Sequence, residues 1–267
     1  MDRYVDSKGT RIYYQIKGTG QPLVLLMGFG ADGNTWEKHL VEFQTDFTCV
    51  IIDNRGVGRS DQPAGLYTTK LMAEDTLAVM EDAGIEKAHV AGISMGGAIA
   101  QELVLQNPDR IISLVLVSTW SAFNVYTRKV YENLKKIRAF CPPDVFMELL
   151  QLWIYAPPYY ELKYNDLKKG QHSAANNTTP QTKQGFEGQL DACILHDTSD
   201  RLSEITVPTL ITVGALDIFT PPSYSEFLHK NIKKSKYLIF PHGGHVHHWE
   251  DLAGFNEAVK RFLLEHR

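Results

Sequence analysis

The stretch AGISMGGAIA, residues 91–100, decides the fold. It places one serine, Ser94, midway between Gly92 and Gly96. The run before it, KAHVAGI (87–93), is short and apolar like a buried strand, and the run after it, AIAQELVLQ (98–106), has a helical pattern. A strand that turns straight into a helix at a Gly-x-Ser-x-Gly corner has little room for side chains. In a nucleophile elbow the serine sits on a strained turn, and its neighbours two residues away must be tiny. Such a turn lifts the hydroxyl above the carboxyl edge of the sheet, where open α/β sheets bind their ligands. Ser94 is therefore the candidate nucleophile.

The rest of the chain carries the same rhythm. Strand-like runs fall at 11–16, 23–27, 49–53, 88–93, 112–118, 209–214 and 236–240, with helical patterns between them. LVLL and LVLV are apolar on both faces, as strands of a buried parallel sheet are. Ala73, Leu77 and Met80 recur at helical spacing, as do Phe255, Val259, Phe262 and Leu263. This alternation predicts an α/β fold with a mostly parallel, eight-stranded sheet flanked by helices, one strand beyond the seven plain runs. Residues 120–205 break the rhythm: they are helix-like, punctuated by CPP (141–143) and APPYY (156–160), and dense in aromatic residues. They are expected to form a helical cap inserted after the sixth strand, with residues 1–119 and 206–267 as the core. Trp120 and Trp153 are expected to line a substrate pocket beneath that cap.

A serine hydroxyl needs a base, and the base needs an orienting acid. VPTLITVGALDIFTPP (207–222) ends an apolar strand and then offers Asp217 in a loop; Asp191, Asp197 and Asp200 lie inside or at the end of the inserted segment. FPHGGHVHHWE (240–250) ends the last strand and offers His242, His245, His247 and His248. His245 follows Gly243-Gly244, a pair that permits a sharp loop over the sheet edge, so it is the expected base. MGFGADGNTW (27–36) leaves another strand at a glycine turn, and the backbone N–H groups of Phe29 and Met95 are the expected oxyanion donors. DNRGVGRSDQP (53–63) is read as a brace for the neighbouring loop.

Bulk composition narrows the classes. The chain has 267 residues, 43% hydrophobic and 22% charged, the proportions of a globular protein. A net charge of −4 without a basic stripe argues against nucleic acid as partner. The three cysteines, Cys49, Cys141 and Cys193, are odd in number and widely spaced, which suggests neither a disulfide framework nor a zinc site. No apolar signal segment or membrane-length run is present, so a cytoplasmic monomer or homodimer without metal or cofactor is expected, acting on a small molecule.

Taken in order, GFGADGNTW, DNRGVGRSD, GISMGG, PTLITVGALDIFTP and GGHVHHWEDLAGFNEAVKRFL resemble the motifs of the α/β-hydrolase superfamily over nearly the whole chain. Within it the chain is most similar to small esterases and lactonases grouped around 3-oxoadipate enol-lactonase. The resemblance implies a nucleophile at Ser94, an acid at Asp217, a base at His245, and a cofactor-free hydrolysis of an ester or lactone. It also has departures. Met27 stands where many relatives carry histidine. GHVHHWE is similar to the ending of meta-cleavage C–C hydrolases, but Val246 stands where those carry tryptophan. A C–C hydrolase and a ligand sensor on a hydrolase scaffold are the competing readings. Ser94 argues against dehalogenases and epoxide hydrolases, which place aspartate at the elbow.

Overall fold

The structure, a computed structural model, describes residues 2–177 and 180–266. Eight strands form one sheet: β1 (Asp2–Ser7), β2 (Thr10–Lys17), β3 (Gln21–Leu26), β4 (Phe47–Ile52), β5 (Ala88–Ile93), β6 (Ile111–Val117), β7 (Thr209–Gly214) and β8 (Ser235–Phe240). Their spatial order is β1-β2-β4-β3-β5-β6-β7-β8. Pairings β1–β2 and β2–β4 are antiparallel, and all others are parallel. The hairpin strand β1 has no counterpart in the sequence reading. It is a short, largely exposed edge strand, so its residues lack the apolar pattern that marks the inner strands.

Helices cover both faces. Flanking the sheet are α1 (Glu37–Phe43), α2 (Thr69–Asp82) and α3 (Met95–Gln106), and the segment between β6 and β7 forms α4 (Val125–Arg138), α5 (Pro143–Ile154), α6 (Pro157–Leu162), α7 (Tyr164–Ala175) and α8 (Lys183–Leu195). The chain closes with α9 (Pro222–Asn231), α10 (His247–Glu250) and α11 (Leu252–Leu264). One core joins α1 and α11 to the sheet through Trp36, Phe43, Phe255 and Phe262. The opposite core joins α2 and α3 and continues without a break into Tyr131, Phe146, Phe186 and Leu190 of the inserted segment. Among the described residues no helix is long and apolar enough to cross a membrane.

The topology creates the site. From β3 the chain passes to β4 on one side, and β5 lies on the other, so the winding reverses between β3 and β5. At such a switch point the loops leaving the strand ends diverge and open a crevice. Leu26 of β3 is in register with Gly92 of β5, which brings the loop after Met27 beside Ser94.

Packing at that point leaves no room for a side chain. A Cβ on Gly92 would come to 2.2 Å from Gly96 O, and one on Gly96 to 2.2 Å from Leu26 O. Neither contact is compatible with a side chain, so both glycines are set by the approach of α3 to β3 and β5. Gly96→Ala should therefore force α3 off the sheet and cost about 1–3 kcal/mol, the usual range for overpacking. Urea denaturation checks this; an unchanged midpoint with the usual slope would mean that α3 shifts freely.

Candidate active site

Ser94 is built into a strained backbone. Its φ of 55° and ψ of −116° lie outside the regions a non-glycine residue adopts easily. The conformation survives because hydrogen bonds over-determine it. Ser94 N–H donates to Val117 O at 2.8 Å, and Ser94 O accepts from Gly97 N–H (2.9 Å), Ala98 N–H (3.2 Å) and the Thr119 hydroxyl (2.8 Å). The side chain lines a cavity of about 420 Å³ that also contains Phe29, Phe146, Phe219 and His245. A larger groove, about 1030 Å³, runs between α1 and α11, but its polar lining is Lys, Arg, Glu and Asn, without a hydroxyl, thiol or imidazole. The Ser94 cavity is therefore the candidate active site.

Asp217 and His245 meet in the same place. His245 Nδ1 lies 3.0 Å from Asp217 Oδ2. The other carboxylate oxygen accepts two backbone N–H groups, from Phe219 (2.9 Å) and Thr220 (2.8 Å). The Thr220 hydroxyl sits 3.0 Å from Asp217 Oδ2, Ser118 O and His245 Nδ1. With Nδ1–H directed at the carboxylate, Nε2 is left as the basic nitrogen. No hydrogen bond joins Nε2 to Ser94 Oγ among the described residues. Such bonds are often long or misaligned without substrate and tighten in the complex.

The other expected residues have definite places. His242 is exposed. His247 is buried with both ring nitrogens occupied, by Ser118 Oγ (3.3 Å) and Thr212 Oγ1 (3.0 Å). His248 Nδ1 pairs with His39 Nε2 at 3.1 Å, and His39 Nδ1 in turn with Asn256 Oδ1 at 2.6 Å. Asp191 pairs with Lys135 at 2.8 Å, and Asp197 accepts Ser199 N–H at 3.0 Å, both away from His245. Phe29 lines the cavity, and its N–H has no acceptor among the described residues. Met95 opens α3, where an N–H has no intrahelical acceptor.

Trp120 and Trp153 do not line this cavity, against expectation. Trp120 follows β6 by three residues and is wholly buried, stacked on Phe123 at 4.3 Å. On α5, Phe146, Leu150 and Ile154 recur every four residues and face the cavity. Leu149 and Trp153 lie on the adjoining face and line a separate cavity against α4. The Gly243-Gly244 pair also has another reason than a sharp turn, since neither has a positive φ. A Cβ on Gly244 would fall 2.5 Å from Ala156 N, so the need is close approach to the α5–α6 junction. Glu250 clamps that contact, accepting Gly244 N–H (2.6 Å) and Ala156 N–H (2.8 Å).

Tyr131 is a site residue that sequence reasoning missed. It stacks on Phe219 at 4.9 Å, and Phe219 meets the His245 ring edge-on at 5.1 Å. Its buried hydroxyl lies beside the Ser94 side chain, close enough to interact with it, and feels the charge of Asp217. Burial, before any neighbouring charge, pushes its phenol well above the ordinary value. The residue was visible only as one aromatic among many in the insertion. Among the described residues no group of three or more His, Cys, Asp or Glu side chains converges as a metal site.

Comparison with known proteins agrees with the fold. A family model described as the alpha/beta hydrolase fold matches residues 21–252. The chain is 28% identical over 262 residues, covering 98% of both chains, to a protein of Azorhizobium caulinodans named "Putative carbamate hydrolase RutD". Among solved structures it is similar to the esterase EaEST from Exiguobacterium antarcticum, with a TM-score of 0.87 and 25% identity over 98% of this chain and 99% of that one. It also shares the fold of the enol-lactonase from Burkholderia xenovorans LB400, with a TM-score of 0.89 and 23% identity over 98% of this chain and 100% of that one.

The buried histidines make stability depend on pH. Burial lowers the pKa of His247 and His196 to about 3 and that of His39 to about 4. Against an ordinary value near 6.5, each binds its proton more readily in the unfolded chain. Their stabilising contribution is therefore complete above about pH 6.5 and is lost progressively as pH falls toward the folded values. Burial raises Asp32, Asp75 and Glu250, which act with the opposite sign. The expected result is a wild-type urea midpoint that falls between pH 6.5 and 5, and a shallower fall in His247→Gln. Parallel slopes for the two proteins would contradict the burial of a neutral His247.

Proposed function

The chain is a hydrolase of the alpha/beta hydrolase fold family, and on that premise we propose that it cleaves a carboxylic ester or lactone through an acyl-enzyme on Ser94. The observation that carries the reading is the Asp217–His245 pair at 3.0 Å, in one cavity with a serine held in a strained strand-to-helix turn. A buried carboxylate satisfied by two backbone N–H groups is a fixed acceptor. It holds the imidazole in the tautomer whose Nε2 is basic and stabilises the imidazolium that forms.

The steps follow from these groups. Ser94 Oγ attacks the acyl carbon while its proton passes to His245 Nε2. The carbonyl oxygen becomes an oxyanion and accepts hydrogen bonds from the N–H groups of Phe29 and Met95. The tetrahedral adduct collapses, and His245 protonates the departing alkoxide. Water, deprotonated by His245, then adds to the acyl-enzyme, and the second tetrahedral adduct releases the acid as His245 returns that proton to Ser94 Oγ. No metal or organic cofactor has a role in this sequence. Relatives named for carbamate, ester and lactone chemistry all fit an acyl carbonyl bearing a heteroatom leaving group.

Residues 120–205 act, in this reading, as the lid over Ser94. Phe146 and Phe186 supply its apolar lining, and Phe219 on the core side completes the pocket. The chemistry belongs to core loops and the selectivity to the lid.

Two measurements test the proposal. In a panel of p-nitrophenyl esters, lactones, carbamates and ring-cleavage diketones, wild type should turn over the esters or lactones. Ser94→Ala and His245→Ala should each lower kcat by at least ~10³-fold. A fluorophosphonate should label Ser94. Turnover surviving in Ser94→Ala, or a preference for the diketones, would refute the assignment. For the lid, Phe146→Ala should shift kcat/KM between short and bulky esters by about 1–3 kcal/mol, whereas Trp153→Ala should scale the series uniformly.

A further inference from the structure

The inserted segment grips the loop after β3 through one buried amide. Gln189 of α8 is fully buried. Its Oε1 accepts Gly30 N–H at 2.9 Å, and its Nε2 donates to Arg55 O at 2.9 Å. Gln181 Nε2 donates to the same Oε1 at 3.0 Å and to Gly56 O at 2.8 Å. These partners fix the orientation of the Gln189 amide, because a backbone N–H needs an acceptor and a carbonyl needs a donor. Arg55 is itself anchored, since its guanidinium makes a buried bidentate pair with Asp75 of α2. The amide thus ties the Gly28–Gly30 turn to a rigid part of the core.

The tie acts on the peptide units that matter. Gly28 O accepts Ala31 N–H at 3.3 Å, which holds one end of the peptide carrying Phe29 N–H. Gln189 holds the next peptide, the one carrying Gly30 N–H. Gly30, at φ +74°, is where the chain turns back. A glycine-flanked turn secured only by the 3.3 Å bond would be free to rotate its peptide planes.

We propose that Gln189 is the positioning residue of the oxyanion hole, holding the Phe29 turn so that Phe29 N–H stays presented to the cavity before substrate arrives. The inference rests on the serine-hydrolase reading above. It makes the hole a joint product of core and lid, because the holding side chain comes from α8. A preorganised donor stabilises the transition state without having to reorganise during reaction. Loss of Gln189 therefore weakens binding of the oxyanion and leaves binding of the uncharged substrate nearly intact.

The experiment compares wild type, Gln189→Met and Gln189→Asn with p-nitrophenyl butyrate as substrate. It uses two ligands of matching shape: an alkyl trifluoromethyl ketone, which forms a tetrahedral oxyanion adduct, and an unreactive ether. Met keeps the length without hydrogen bonds, and Asn is one methylene too short to span Gly30 and Arg55. The expected result is a fall in kcat of ~10–100-fold and an equal loss of ketone affinity, with KM and ether affinity within ~3-fold. The loss is smaller than for deleting a donor, because Phe29 N–H is misdirected and not removed. If either folded variant keeps kcat and ketone affinity within ~3-fold of wild type, the proposal is overturned. It is equally overturned if ketone and ether affinities fall together, which is the mark of a merely structural role. Should one variant fail to fold, the other is read by the same criteria. Ser94→Ala, assayed alongside, separates the two claims. Turnover surviving there removes the serine mechanism itself, whereas an inactive Ser94→Ala beside an unimpaired Gln189→Met removes only the role of Gln189.

Discussion

Everything in the site depends on the backbone of Ser94 being kept where it would not stay by itself. A serine at φ 55° and ψ −116° is held by close packing of α3 on β3 and β5, and by four hydrogen bonds to its peptide groups. Two glycines make that packing possible, because a single methyl group on either would overlap a carbonyl. The strain has a functional side. It turns the side chain away from both helix and sheet into the crevice, and it makes Met95 N–H the first donor of α3, next to the hydroxyl.

Around this point the polar groups differ in how fully they are satisfied. Asp217 is held by two N–H groups and His245 by Asp217, so the proposed base and its orienter are fixed in place. His247 and the His39–His248 pair are buried, and desolvation keeps them neutral, so no second cation competes with the imidazolium formed during reaction. Phe29, which lines the same cavity, has an N–H without an acceptor among the described residues.

Much of this was legible in one dimension. Ser94 and Asp217 follow buried parallel strands and His245 follows the half-exposed edge strand β8, and an apolar run followed by a turn marks such strand ends plainly. The edge hairpin was not legible, because β1 buries almost nothing and so carries no periodic signal. Trp120 and Trp153 were misplaced for another reason. Aromatic density shows that a segment is buried but not which face of each helix meets the cavity. Phe146 and Trp153 differ by seven residues on α5, yet neighbour contacts send one to the catalytic cavity and the other to α4. Gln189 and Glu250 left no trace, since an isolated polar residue in a helix looks the same whether it is solvated or holds a buried loop.

The sequence alone determined the fold class, the order of the candidate nucleophile, acid and base, and the glycines at the elbow. These features are local: a strand's apolar run, a turn's composition and the size limit at a tight corner are each written within about ten residues. Tertiary structure alone decided which lid residues line the cavity and how the turn at Phe29 is held. Each of these depends on groups far apart in the chain, such as Gln189 with Gly30 and Tyr131 with Phe219. Their meeting is set by the packing of whole helices on the sheet, and no short-range pattern encodes it.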